Sequence, residues 1–247
     1  MSKVISVWGS VGCGKSVVSI ALAHELNTEK ANVIVISFDK TSPMFSSYLP
    51  FQEFDVANNS IGTLLLSEIN KINLKGKLNY NERNSRTAFM SLGITETYQK
   101  YPDKWITARL ERLVTILDDF ADYIILDLTS NFLIDNATFW SLANSDTVIE
   151  LISPDNKGLS FIDSYFPLLV KDSRFQTDKF IKAISNAYLY SPYEQIMKER
   201  SIEILLPHSQ DIYSAFVSGS NNILNVNDKS GLDFCKSIKE IKERIKQ

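Results

Sequence analysis

Residues 9 to 16 read Gly9-Ser10-Val11-Gly12-Cys13-Gly14-Lys15-Ser16, set between the apolar run Val4-Ile5-Ser6-Val7-Trp8 and a helical run from Val17 to Leu26. Strand, glycine-rich turn and helix in that order constrain the chain to an α/β layout, with the turn at the carboxyl end of a strand. Glycines let the main chain curl so that several N–H groups point inward at one ligand. A helix starting near Gly14 adds its positive end. In a G-x-x-x-x-G-K-[ST] loop the lysine, here Lys15, neutralises the β- and γ-phosphates, and the following hydroxyl, Ser16, ligates Mg2+. A ligand-free strand–helix turn is the plain alternative. The spacing, the Lys-Ser pair and the flanking elements together favour phosphate.

Apolar, β-branched runs alternate with helical patterns along the whole chain, which predicts a doubly wound, mostly parallel sheet flanked by helices. Strands are expected at Val33–Asp39, Thr87–Leu92, Tyr123–Asp127, Thr147–Ile152, Phe180–Ser185 and Ile202–Leu206. Helices are expected at Thr63–Lys71, Trp105–Phe120, Gly158–Val170, Ser209–Ser218 and Leu232–Lys246, with Gly219 closing the fourth. Ser191-Pro192-Tyr193-Glu194 reads as a capping box with proline at the first helical position. The stretch Asn73–Arg86, polar and carrying Gly76 and four asparagines, reads as a loop. No linker or internal repeat breaks the pattern, so residues 1–247 are expected to form a single domain.

Two carboxylates fall at strand ends that such a sheet brings to one edge. Asp127 ends a buried strand and is placed to hold Mg2+ directly or through water. Asp39 ends the strand after the first helix and is placed to orient or deprotonate an attacking water. In Asp39-Lys40-Thr41-Ser42-Pro43 the same residue also reads as a turn aspartate.

These positions resemble the ParA/MinD family of P-loop ATPases over nearly the whole chain. In that family the strand after the phosphate loop ends in two aspartates one residue apart. Ser37 and Asp39 stand at those places, and the resemblance implies that Asp39 activates water. Tyr123-Ile124-Ile125-Leu126-Asp127 is similar to the family's Walker B strand. Leu142-Ala143-Asn144-Ser145-Asp146-Thr147-Val148-Ile149, followed by Ser153-Pro154-Asp155, is similar to its A-x-x-A-D-x-V-I…P-(D/E) stretch. Ser185-Asn186-Ala187 stands where the family's Asn-Arg meets adenine, and Leu206-Pro207-His208 through Gly219 resembles the proline loop beside the base. The resemblance therefore implies ATP and Mg2+ as cofactors. Catalysis falls to Lys15 and Asp39, and the metal to Ser16 and Asp127. Nucleotide contacts run from Gly9 through Ser10, Val11, Gly12, Cys13, Gly14, Lys15 and Ser16 to Val17, with Asn186 and Pro207 at the base.

The family's second lysine, directly after the first glycine of the loop, is replaced by Ser10. In typical members that lysine reaches the partner's phosphates across an ATP-sandwiched dimer, for which a serine has neither reach nor charge. The Ser37 and Asp127-Leu128-Thr129-Ser130 segments also depart from the family's D-x-D-P and D-x-P-x patterns. Pilus-assembly localisation proteins of the TadZ/CpaE type lie close to this divergent pattern.

A net charge of -3 does not mark a dedicated nucleic-acid binder, and DNA stays open as a partner. Two cysteines are too few for a disulfide framework, and Met1-Ser2-Lys3 enters a strand at once, so a cytoplasmic protein without a signal peptide is expected. Phe234, Ile238, Ile241 and Ile245 share one face of the last helix among five basic residues. Such a helix can lie on an anionic membrane or pack on the sheet, and Glu240 and Glu243 favour packing. The expected activity is slow ATP hydrolysis by a positioning or partition switch, with a nucleotide-dependent homodimer and a protein partner or cargo adaptor. A nucleotide-binding scaffold that has lost useful hydrolysis is the rival reading. A small-molecule kinase ranks below both, since the seven arginines form no evident clamp or lid.

Overall fold

The structure, a computed structural model, describes residues 1–45, 55–81, 84–97, 107–220 and 223–247. Its centre is one sheet of eight strands: β1 (Lys3–Gly9), β2 (Val33–Ser37), β3 (Asn79–Asn81), β4 (Asn84–Met90), β5 (Tyr123–Asp127), β6 (Thr147–Ile152), β7 (Phe180–Ala187) and β8 (Ile204–Pro207). Their spatial order is β3-β4-β2-β5-β1-β6-β7-β8, and every neighbouring pair is parallel except β3 with β4. The mostly parallel, doubly wound sheet read from the sequence is therefore present.

Alternation along the strands sends side chains to two helical layers. The helices are α1 (Lys15–Asn27), α2 (Val56–Asn59), α3 (Ile61–Leu66), α4 (Lys71–Lys75), α5 (Thr107–Leu117), α6 (Asn136–Asn144), α7 (Asn156–Lys171), α8 (Tyr193–Arg200), α9 (Gln210–Val217) and α10 (Lys229–Lys246). Ile5 and Val7 of β1 share a core with α1, α9 and α10; Val4 and Trp8 share the opposite core with α3, α5 and α6. In α10, Phe234, Ile238, Ile241 and Ile245 are all buried, and Lys242 meets the buried Glu25 of α1 at 2.7 Å. Its apolar face is thus covered by the protein itself. Among the described residues no helix is long and apolar enough to cross a membrane.

Several local expectations are corrected. Thr63–Lys71 is not one helix: Ser67 is extended, and the Asn70 side chain caps a new start by accepting from the Ile72 and Asn73 amides. The stretch Asn73–Arg86 holds the end of α4, strand β3 and the start of β4. It reads as a loop because an edge strand needs no apolar face, and Asn79 instead donates to the Phe89 carbonyl at 3.2 Å. No capping box forms at Ser191; its hydroxyl turns back to the Tyr188 carbonyl at 2.6 Å and Pro192 takes the cap position. Strand β8 begins at Ile204 rather than Ile202, because the Ile202 amide still closes α8 on Met197. Helix α6 was not anticipated. Of the expected helix 105–120, Trp105 and Ile106 lie outside the described residues.

Glu150, in the middle of β6, is fully buried, and neither of its carboxylate oxygens has a hydrogen-bond partner. Its nearest cation is the Lys182 ammonium at 4.0 Å. Burial pushes its carboxyl up to about 7. Since this lies above the ordinary 4.5, the folded state holds the proton more tightly than the unfolded chain does. Stability therefore falls as pH rises from about 4.5 through about 7. Glu150→Gln should remove that component, gaining roughly 3 kcal/mol at pH 8 and little at pH 4.5. Denaturant unfolding at both pH values measures it, and an unchanged pH slope in the variant would refute the assignment.

Candidate functional site

Strand β1 leaves the sheet between β5 and β6, and the residues that follow it form the floor of the site. The Ser10 amide donates to the Leu151 carbonyl at 3.2 Å, and the Ser10 hydroxyl accepts from the Ser153 amide at 3.2 Å. Ser10 is therefore a buried fastener to the β6 edge. Gly9 has no room for a side chain there: a Cβ would stand 2.0 Å from the Leu151 oxygen. Gly12 and Gly14 follow with φ of 76° and 83°, the left-handed conformations that curl the loop. The Cys13 side chain is buried beneath the loop, where burial pushes its thiol up, so only its main chain can serve a ligand.

Helix α1 starts at Lys15 with no side-chain cap and no acidic residue in its first turn. Helices α6, α7, α9 and α10 are each capped, by Asp135, Asp155, Ser209 and Asp228. The positive end of α1 is thus left for an anion from outside. Lys15 donates to the Ser10 carbonyl at 3.0 Å and to the Ser130 hydroxyl at 2.9 Å, both neutral partners.

Asp127 is buried at the end of β5. It accepts from Ser16 at 2.8 Å and, more loosely, from Ser19 at 3.4 Å. Burial pushes its carboxyl up to about 6, with Asp39 adding to the rise; the Ser16 and Ser37 hydroxyls and the Lys15 charge oppose it. A hydroxyl beside a carboxylate is a hard oxygen donor set, which suits magnesium completed by phosphate oxygens and water. No cluster of three or more His, Cys, Asp or Glu side chains able to hold a metal occurs among the described residues. Ser16 and Asp127 fit an ion that arrives with a nucleotide rather than a cage of protein ligands.

Asp39 lines the same cleft as Lys15, Ser16 and Asp127, a space of about 580 Å³ that also meets Val11, Gly12, Gly14 and Val17. Its Oδ1 accepts from the Thr41 and Ser42 amides at 2.7 and 3.0 Å, so it is a turn aspartate and a cleft residue at once. The next residue, Lys40, is buried and paired at 3.2 Å with the buried Asp135, which caps α6. This ion pair ties the segment after β2 to the segment after β5.

A second cleft of about 210 Å³ continues from the first past Gly12, Gly14, Val17 and Phe216. It is lined by Val18, Ile212, Tyr213, Phe234 and Pro207, with Asn186 and His208 as polar groups. Of the residues singled out from the sequence, Val11, Gly12, Gly14, Lys15, Ser16, Val17, Asp39, Asp127, Asn186 and Pro207 line these two joined clefts, whereas Gly9, Ser10 and Cys13 do not. The sequence reading gave no role to Ser130, Ser19, Phe216, the Lys40–Asp135 pair or His208 as a partner of Asn186. The only advance signal for Ser130 was its place three residues after Asp127.

No family model matches the sequence, and no curated protein matches it. Solved structures do match in fold. A ParA family ATPase from Chlorobium tepidum TLS superposes with a TM-score of 0.78 at 18% identity, covering 98% of each chain. The septum site-determining protein MinD complexed with Mg-ADP from Pyrococcus horikoshii OT3 gives 0.77 at 16% identity, over 98% of this chain and 97% of that one. A putative plasmid partition protein from Borrelia burgdorferi B31 bound to AMPPNP gives 0.76 at 18%, over 99% of each chain. At such identities the likeness is one of fold, and that fold is the ParA/MinD-type P-loop ATPase fold.

Gly9→Ala should cost about 3 kcal/mol or more, because main chain faces the added carbon. Gly12→Ala meets open space and carries only its left-handed backbone, for about 1 kcal/mol. Denaturant midpoints of the two variants give the comparison; equal costs would contradict the close approach of Gly9 to β6.

Proposed function

We propose that the chain is a Mg·ATP-binding, slowly hydrolysing ATPase of the ParA/MinD type, working through residues 1–247 as one domain. The observation that carries the reading is the uncapped start of α1, with Lys15 on neutral partners and Asp127 held only by hydroxyls. Such charges stand ready for a phosphate chain and a divalent ion. The solved relatives bound to Mg-ADP and to AMPPNP support the same ligands here.

In this reading the main chain from Gly9 to Ser16 cradles the phosphates and Lys15 offsets their charge. Ser16 and Asp127 hold Mg2+, which would supply charge stabilisation on the phosphate oxygens. The apolar cleft beside Asn186 and Pro207 receives the base. Asp39 orients the water that attacks the γ-phosphate, and catalysis comes from positioning and charge rather than from a covalent intermediate.

Ser10 sets the rate. Its hydroxyl is committed to the Ser153 amide and its side chain is buried, so this position sends nothing across to a second subunit. Hydrolysis is accordingly slow and depends weakly on protein concentration. Its role is that of a positioning or partition switch, a cytoplasmic protein whose nucleotide state governs contact with a second copy, a protein partner or a cargo adaptor. A solved structure of similar fold, a MinC:MinD cell division protein complex from Aquifex aeolicus, supports a protein partner. The buried committed Ser10 also favours a second reading, a nucleotide-binding scaffold without useful turnover.

Lys15→Ala should weaken ATP binding by about 100-fold or more, as expected for the loss of a charge-assisted contact. Fluorescent-nucleotide titration tests this, and near-native affinity would refute the phosphate site. Asp39→Ala should keep ATP affinity within about threefold yet lower turnover by roughly 100-fold or more. A rate in Asp39→Ala equal to the native one would remove Asp39 from catalysis; if both rates are at background, the scaffold reading holds.

A further inference from the structure

The Phe38 amide donates to the Asp127 carbonyl at 3.3 Å, a main-chain rung just past the end of β2. Beyond it the chain leaves the sheet at Asp39. Asp39 closes its own turn, with Oδ1 on the Thr41 and Ser42 amides. A turn closed on itself sets the shape of residues 39–42, but not where they stand against β5.

Lys40, the next residue, supplies a contact across that gap. Its side chain is buried, and its ammonium lies 3.2 Å from Oδ1 of the buried Asp135. The other oxygen of Asp135 accepts from the Thr138 amide at 3.0 Å, from the Thr138 hydroxyl at 2.6 Å and, more loosely, from the Thr129 hydroxyl at 3.4 Å. Thr129 lines the polar cleft two residues after Asp127. One buried carboxylate thus joins the residue after Asp39, the start of α6 and the segment after Asp127. Buried ion pairs often add no net stability over apolar side chains of similar volume, because both charges lose their water. Placement is a different matter: an error of about 1 Å at a reacting group can cost about 100-fold in rate.

We propose that Lys40 is a positioning residue, whose pair with Asp135 fixes the turn that presents Asp39 to the γ-phosphate end of the cleft. Lys40 acts through Asp39 and touches neither nucleotide nor water. This inference rests on the reading of Asp39 as the residue that orients the attacking water. Lys40→Met alone would leave Asp135 as an unpaired buried charge and so endanger the fold. Lys40→Met/Asp135→Asn removes both charges together, and the asparagine oxygen can still cap α6. Lys40→Arg keeps the pair with a different reach.

The native chain, these two variants, Asp39→Ala and the triple variant are compared by ATP affinity, single-turnover ATP hydrolysis and thermal melting. A fourth measurement is affinity for ADP with aluminium fluoride, which mimics the transferring phosphoryl group. Lys40→Met/Asp135→Asn should melt cooperatively and keep ATP affinity within about threefold, yet lose roughly tenfold to 100-fold in hydrolysis and in affinity for the mimic. The triple variant should bind the mimic no more weakly than Asp39→Ala, because nothing is left to position once that carboxylate is gone. Lys40→Arg should lose less than about threefold in either quantity. A native rate in Lys40→Met/Asp135→Asn would overturn the proposal, as would Lys40→Arg impaired as deeply as the neutral variant. A parallel loss of ATP affinity would make the pair a support of the phosphate loop instead. An equal further loss on top of Asp39→Ala would show that it does not act through Asp39. If Asp39→Ala hydrolyses ATP and binds the mimic like the native chain, the catalytic reading of Asp39 falls and this inference with it.

Discussion

The amide of Leu128 donates to the Val7 carbonyl at 3.1 Å, and the amide of Ser10 donates to the Leu151 carbonyl at 3.2 Å. These are the last rungs of β1 on its two sides. Beyond them β1 ends, and the glycine turn, the start of α1 and Asp127 gather at this edge of the sheet. The chain winds from β1 towards β2 on one side and from β5 towards β6 on the other, so the cleft sits at the switch point of the sheet. Everything assigned to phosphate or metal follows from that geometry. Gly9 is required because β6 comes so close at this point that a methyl group has no space.

The charges of the site are arranged so that they do not cancel one another. Lys15 rests on a carbonyl and a hydroxyl, and Asp127 on two serine hydroxyls. A direct Lys15–Asp127 ion pair would be a closed account; neutral partners leave both groups able to exchange for a phosphate oxygen or a cation. Burial raises the free energy of the Asp127 charge, which a divalent ion would lower again. Meanwhile Lys40 and Asp135 do form a buried pair, which ties the segment after β2 to the segment after β5. Such a pair is costly to break from one side only.

The legible parts of the sequence were those where one physical pressure acts alone. Tyr123–Asp127 is buried on both faces and reads as an unbroken apolar run, and it forms the strand expected of it. The glycine-rich turn forms between β1 and α1 as expected, because Gly12 and Gly14 adopt the left-handed conformations that curl it. Illegible parts were those settled by distant neighbours. Asn79–Asn81 pairs with β4 at the sheet edge, where polar residues cost nothing, and its asparagines look like loop. Ser130 lies 115 positions from Lys15, and nothing but the crossing of β5 beside β1 makes them partners. His208 offered a solitary histidine in sequence; its partner Asn186 sits at a slip in the β7–β8 register that no local pattern announces.

The most direct measurement is a crystal structure of the chain with magnesium and a non-hydrolysable ATP analogue. The account requires the triphosphate on the main chain of residues 9–16 with Lys15 on its outer phosphates. It requires the ion at Ser16 and Asp127, Asp39 on the γ-phosphate side, and the base between Asn186 and Pro207. A nucleotide seated elsewhere, or a triphosphate on the loop with the ion away from both Ser16 and Asp127, would contradict it.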